Sequence, residues 1–408
     1  MSKFSYYKQK KERKMAMKRT KITALFLSLI MAVSMASCGQ EIKKSDPQAA
    51  KASVPNSDSS AVTPSGDTSD KEKVTTAATE ATTTTTTTTT KLDETGTADP
   101  AADYASIPES GYWTNNVVVC DQNKGSKIRG LLGFGADESS AKVFTTMVNN
   151  VKKMVGDKVN VYTLPAPVSS AYYTPKGMDG VTSDQHAATT ALSKTLDPSI
   201  KNIDAYSALA KHTNEYIYYR TDHHWTTLAA YYATKEFAKA ADVPFTELDK
   251  MEKVTKTGFT GSMYTYSGCQ EFLKYPDTYI YYKPKNQYTT TYYDCDFTNP
   301  VKSELFHEYA EGSNLYCTIL GTDMTICEMK TDVKNGRTLV LIKDSYGNAM
   351  APYFVGSFEK IYVIDMRYTT IKLKDFFEKV GATDILFGSS ISSFYTISRA
   401  EYLNGIMK

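Results

Sequence analysis

Leu339-Val340-Leu341-Ile342-Lys343-Asp344-Ser345-Tyr346-Gly347-Asn348-Ala349 is the stretch from which the 408-residue chain is best read. Successive side chains of a strand point to opposite faces, so four apolar residues in a row need cover on both sides. The polar turn after them leads into a helical pattern from Ala349 to Val355. Ile361-Tyr362-Val363-Ile364 and Ile385-Leu386-Phe387 repeat the continuous apolar run, with a second helical pattern, Leu373 to Val380, between them. Short buried strands alternating with helices predict an α/β domain with a mainly parallel sheet.

Working back toward the N-terminus, Asn116 to Cys120 and Lys158 to Leu164 read as strands flanking an amphipathic helix from Ser140 to Met154. Asp184 to Leu196 reads as a helix, Ile200 to Ile203 as a short strand, and Tyr206 to Glu215 as a helix leading into Tyr216-Ile217-Tyr218-Tyr219. Thr226 or Thr227 caps a helix that repeats Ala230, Ala233, Phe237 and Ala240 on one face. The stretch 243–335 lacks this alternation and is expected to be an inserted β-rich or irregular region.

The 47 Lys+Arg and 45 Asp+Glu are unevenly placed. Residues 1–21 carry nine cations and one anion, which leaves −6 for the remainder of the formal +2. An acidic remainder with no basic block has no footprint for phosphate backbones, which argues against a nucleic-acid partner. The uncharged run Ala24 to Ala36 follows the basic segment and is shorter than the roughly 20 residues of a transmembrane helix, so 1–37 reads as a signal peptide. Met35-Ala36-Ser37-Cys38-Gly39 resembles a bacterial lipobox, with Cys38 as the lipidated residue. Ordinary cleavage near Ala36 is the alternative. Residues 38–105, with threonine from Thr82 to Thr90, are too poor in apolar side chains to offset their ordering entropy and read as a flexible stalk for a folded part spanning 106–408. Among the cysteines beyond Cys38, Cys317 and Cys327 form the nearest candidate disulfide pair.

The candidate chemistry starts at Arg220-Thr221-Asp222-His223-His224-Trp225, which holds two of the chain's 5 histidines. On an extended segment Asp222 and His224 share a side and His223 points away. A carboxylate on Nδ1 fixes the imidazole tautomer and frees Nε2 as a base. Ser345, on a polar turn after a buried strand, is the candidate nucleophile, with its own backbone N–H and that of Tyr346 as candidate oxyanion donors. Metal binding by Asp222, His223 and His224 is the competing reading, weakened by the divergence expected of neighbouring histidines. The chain shows no glycine-rich nucleotide loop, and no metal or other cofactor is expected. The 30 tyrosines suit either core packing or contact with sugars.

Asp222-His223-His224-Trp225-Thr226-Thr227 with Ala229-Ala230-Tyr231-Tyr232, Gly261-Ser262-Met263-Tyr264 and Lys343 to Ala349 resembles the DHHW family of bacterial proteins. That family is similar to the SGNH-hydrolase-like domains of the alginate O-acetylation proteins AlgX and AlgJ. The resemblance implies a three-layer SGNH-like fold, with Ser345 as nucleophile, His224 as base and Asp222 as its orienting acid. Asn348 is an oxyanion candidate, Arg367 a candidate for an anionic or carbonyl group with an ordinary salt bridge as the alternative, and Trp225, Tyr264 and Tyr346 are candidate sugar-holding rings. The expected function is an extracytoplasmic, membrane-anchored serine O-acyltransferase that acetylates a surface polysaccharide, fed by a membrane-bound O-acyltransferase. A carbohydrate esterase and a non-catalytic glycan-binding lipoprotein are the alternatives.

Overall fold

The computed structural model describes residues 106–115 and 117–408; the expected signal peptide, Cys38 and the expected threonine-rich stalk lie outside them. The described residues open with three short strands, β1 (Gly111–Thr114), β2 (Val117–Cys120) and β3 (Arg129–Leu132), paired antiparallel in that order. Then follow α1 (Glu138–Val155), β4 (Asn160–Ala166), α2 (Gln185–Thr195), β5 (Lys201–Asn202), α3 (Ala205–Ala210) and α4 (Thr227–Ala241). The stretch 243–335 supplies β6 (Glu252–Phe259), β7 (Asp277–Lys283), β8 (Tyr288–Tyr293), β9 (Val301–Lys302) and β10 (Ile326–Thr331). The C-terminal part is β11 (Thr338–Lys343), β12 (Lys360–Asp365), α5 (Leu373–Val380), β13 (Asp384–Ser390) and α6 (Ile397–Gly405).

Eight strands form the main sheet in the order β5-β4-β13-β11-β12-β10-β8-β9. The pairings from β5 through β12 are parallel, and β10, β8 and β9 close one edge antiparallel. Every residue of β11 and β13 is buried, as the continuous apolar runs require. The two faces carry different helices. Leu386 pairs with Tyr162 on one face, where Tyr162 packs edge-on to Phe237 of α4; Phe387 pairs with Thr163 on the other and meets Phe144 of α1. The result is a three-layer α/β architecture with a mainly parallel sheet.

Within 243–335, β8 to β10 extend the main sheet and β6 with β7 forms a separate antiparallel ribbon. β2 divides its side chains between two cores: Val118 and Cys120 join the main one, whereas Val117 and Val119 pack with Ile128, Met263 and Phe272 in a satellite. That alternation ties the N-terminal sheet to the short helix Ser262–Ser267, which flanks the site.

Three local expectations change. The helix expected from Tyr206 to Glu215 stops at Ala210, because His212 turns back to bond Glu215 at 2.6 Å and stack on Tyr232. The segment expected as a helix from Ala349 is a 3-10 helix, Ser345–Phe354, with Pro352 inside it lacking an N–H to donate. No disulfide joins Cys317 and Cys327; the Cys327 side chain is buried on β10, where β8 places Tyr292 opposite it, and burial pushes its thiol up to about 12.

Leu341 is fully buried on β11 between parallel neighbours on both sides. Leu341→Ala is expected to lower stability by about 2–5 kcal/mol, read as a shift in the urea midpoint. A midpoint unchanged from the parent would contradict a doubly covered central strand.

Candidate active site

The Asp222-His223-His224 segment sits at the tip of a tight hairpin rather than in a strand. Tyr218 and Trp225 form an isolated antiparallel bridge, Thr226 N donates to Ile217 O at 3.0 Å, and the Tyr218 hydroxyl donates to Pro167 O at 2.6 Å. One buried carboxylate holds the base of this tip. Asp277 accepts the backbone N–H groups of Arg220 at 2.9 Å and Thr221 at 2.7 Å, the Tyr216 hydroxyl at 2.8 Å and Arg220 Nε at 3.1 Å. So many donors on one buried carboxylate leave the tip little freedom.

Ser345 stands on the turn at the carboxyl end of β11, where parallel sheets place their sites. Asp344 shapes this turn. Its side chain accepts Tyr346 N at 3.0 Å, capping the 3-10 helix, and also takes the hydroxyl of Ser390, the last residue of β13, at 2.6 Å and that of Ser393 just beyond it at 2.7 Å. A Cβ on Gly347 would lie 2.3 Å from Lys343 Cβ, so only glycine lets the turn fold back on its strand.

The two segments meet through His224. Its Nδ1 lies 2.6 Å from Asp222 Oδ1 and its Nε2 lies 2.8 Å from Ser345 Oγ. With Nδ1–H donating to the carboxylate, Nε2 carries the lone pair that accepts the serine hydroxyl. Asp222 Oδ2 accepts Ser262 N at 2.8 Å, and a Cβ on Gly261 would fall 2.2 Å from Asp222 Cβ, so that approach also needs glycine. Burial alone would raise the Asp222 carboxyl. The two imidazoles, with the bonds from His224 and Ser262 N, outweigh that and hold it well below the usual carboxylate range.

The sequence pattern of the DHHW protein family matches residues 131–364, more than half of the chain. The chain belongs to that family. No curated protein matches it. A DHHW-family protein from Eubacterium siraeum DSM 15702 is 37% identical, with a TM-score of 0.69, over 74% of this chain and 98% of that one. Bacillus cereus PatB1, solved with a sulfonyl adduct, is 16% identical with a TM-score of 0.56, over 68% of this chain and 95% of its own, and shares the fold. The O-acetyltransferase domain of Pseudomonas putida AlgJ is 12% identical with a TM-score of 0.41, over 72% of this chain and 99% of that one.

In this DHHW protein the tryptophan of the motif is a structural link. Trp225 is fully buried and donates Nε1–H to Tyr346 O at 2.9 Å, so its ring cannot hold a sugar as expected. Tyr346 answers by donating its hydroxyl to His223 O at 2.6 Å. Its backbone N–H is committed to Asp344, which removes it as an oxyanion donor. The Ser345 N–H, first in the 3-10 helix, has no partner among the described residues and is the remaining donor on that turn. Asn348 is also committed, its amide donating to Asp323 at 2.9 Å in a buried cluster.

A cavity of about 130 Å³ opens at Ser345, with His223, Tyr266, Tyr346 and Arg367 among its walls. Tyr264 is absent from it and bonds Gln270 instead. Helical spacing explains the exchange: Tyr266 is four residues after Ser262 and shares its face, whereas Tyr264 projects from the opposite one. Arg367 pairs with Asp365 at 2.7 Å while still lining the cavity. Sequence reasoning also missed Tyr316, whose ring stacks on His224 with centroids 3.7 Å apart and whose hydroxyl donates to Ser345 O at 2.9 Å. A lone tyrosine in an irregular stretch carries no pattern that would have revealed it.

The expected divergence of the two histidines does not occur, because the tip is bent. The His223 and His224 rings lie 3.7 Å apart, and ligand atoms of Asp222, His223 and His224 all fall within 4.8 Å of one another. These atoms are already engaged: His224 Nδ1 with Asp222, His224 Nε2 with Ser345, and His223 Nδ1 with Ser262 Oγ at 2.6 Å. A cation there would have to break the bonds that orient His224.

Burial first, and the neighbouring His224 second, push His223 down to about 3. Between that value and the ordinary 6.5 the unfolded chain binds a proton at His223 that the folded chain does not, so stability falls as pH falls through this window. Urea titrations across it should show His223→Gln losing less stability on acidification, by up to about 1.4 kcal/mol per pH unit. Parallel pH profiles for parent and variant would contradict a neutral, largely desolvated His223.

Proposed function

We propose that this DHHW protein is an extracytoplasmic serine O-acyltransferase that acetylates a cell-surface or exported polysaccharide. The observation that carries this reading is the unbroken hydrogen-bond chain Ser345–His224–Asp222 opening on a cavity. In the first half-reaction Ser345 Oγ attacks the acyl carbonyl while His224 Nε2 takes its proton, and the resulting imidazolium is stabilised by Asp222. The Ser345 N–H serves the oxyanion, and collapse expels the donor's leaving group with the proton from His224. In the second half-reaction a sugar hydroxyl gives its proton to His224, attacks the acyl-serine and leaves as the ester, after which Ser345 recovers its proton.

The fold shared with PatB1, which holds a sulfonyl adduct, supports an electrophile-accepting site. Transfer over hydrolysis would follow if the acceptor fills the cavity: Ser345 is 9% exposed and His224 5%, so an acceptor seated there displaces most of the competing water. In this reading the apolar run before Cys38 exports the chain, a lipid on Cys38 anchors it, and the stalk keeps the domain within reach of a membrane-bound O-acyltransferase that hands over the acyl group.

Slow hydrolysis of a small acetyl ester should accelerate when an oligosaccharide acceptor is added, with acetylated sugar as the product. Ser345→Ala should lower both rates by at least about 10³-fold. Acetylated glycans stripped without any acceleration by acceptors would make the protein an esterase, and unchanged rates in Ser345→Ala would leave a binding module.

A further inference from the structure

Besides His223, the Ser345 cavity is lined by the segment after β13, including Ser392, Ser393, Thr396 and Arg399. Two arginines reach this cavity, and their surroundings differ. Arg367 is matched: it bonds Asp365 through Nε at 2.8 Å and Nη2 at 2.7 Å, and Nη2 also reaches Asp323 at 2.5 Å. The Arg399 side chain has no hydrogen bond or ion pair among the described residues, although it is only partly exposed. The carboxylate that might have paired with it, Asp344, is fully engaged by Tyr346 N, Ser390 N and the hydroxyls of Ser390 and Ser393.

Several effects weigh against leaving a cation there. Burial, and then repulsion from Arg367, depress its affinity for its proton by more than the attraction of the Asp365 and Asp344 carboxylates restores. Arg399 also lies in the first turn of α6, whose N-terminal end carries partial positive charge. A half-buried guanidinium with five donors and no acceptor is stabilised by an anion of matching shape, and its planar fork fits a carboxylate or phosphate in two-point contact. The anion and Ser345 share one small cavity, so the anion belongs to the molecule that reacts at the serine.

We propose that Arg399 forms an anion subsite and that the acceptor is an anionic glycan, bearing either a uronate carboxylate or a phosphodiester beside the hydroxyl that is acylated. The assignment to the acceptor rests on the acyl-transfer reading; the anion subsite does not. In the subsite the charged group lies against Arg399, and the hydroxyl of Ser392 is within the same wall to complete its shell, whereas that of Thr396 already donates to Ser392 O at 2.8 Å.

The test is calorimetric binding to the mature chain carrying Ser345→Ala, which cannot form an acyl-serine, with three probes: an oligogalacturonate, its neutral methyl ester and a glycerol-phosphate oligomer. At least one anionic probe should bind about tenfold more tightly than the methyl ester. Arg399→Gln should abolish that preference and Arg399→Lys should retain part of it. Preference for the oligogalacturonate assigns the carboxylate, and preference for the phosphate oligomer assigns the phosphodiester. Equal binding of all three probes, binding of none, or a preference that survives Arg399→Gln overturns the subsite. Loss of folding in Arg399→Gln does not mask the answer, because the acid and its ester are first compared on the protein with Arg399 intact. Failure of the acyl-transfer reading would show separately, as a parent protein whose Ser345 is never acylated.

Discussion

The hydrogen bond from Ser345 Oγ to His224 Nε2, 2.8 Å long, joins two segments 121 residues apart in the chain. It can form only if a hairpin tip and a strand-end turn are each held to within a few tenths of an ångström, and much of the polar structure around it serves that end. Asp277 gathers the base of the tip, Asp344 pins the turn across to β13, and Trp225 and Tyr346 exchange bonds between the two. Tyr316 contributes to both partners, stacking on the imidazole while bonding the serine's carbonyl.

Beneath the turn lies a closed set of buried charges. Lys343 bonds Asp323 at 2.7 Å and Asp365 at 2.8 Å, and Arg367 joins the same two carboxylates. Buried ion pairs contribute modestly to net stability, since desolvation offsets most of the attraction, but removing one partner leaves an uncompensated charge. Here the geometry ties the ends of β11 and β12 to the loop that carries Asp323, directly below Ser345. The set therefore resists rearrangement of the turn more than it adds to the folding free energy. The Arg399 side chain feels Arg367 and Asp365 of this set electrostatically but bonds to neither carboxylate of it, which is the basis for proposing it as an anion subsite.

The sheet was legible because its strands are buried on both faces and so appear as unbroken apolar runs; β11, β12 and β13 all lie where Leu339, Ile361 and Ile385 open such runs. Asp222, His224 and Ser345 were legible for a different reason: few residue types can form a carboxylate–imidazole–hydroxyl chain, and the chain has only 5 histidines. What was not legible depended on contacts distant in sequence or on local bends. The direction of His223 follows from the hairpin tip, not from a strand period. The burial of Trp225 follows from a bond to Tyr346 far along the chain, and Tyr266 displaces Tyr264 because Ser262–Ser267 is helical. Arg399 lies in an ordinary amphipathic pattern, and only the cavity shows that it lacks a partner.

The central claim is that His224, oriented by Asp222, activates Ser345 toward acyl-type electrophiles. Mass spectrometry of the chain after exposure to a sulfonyl fluoride tests it most directly. The account requires one adduct per chain, mapped to Ser345, formed much more slowly in His224→Gln. An adduct confined to other residues, or equal labelling of parent and His224→Gln, would contradict it.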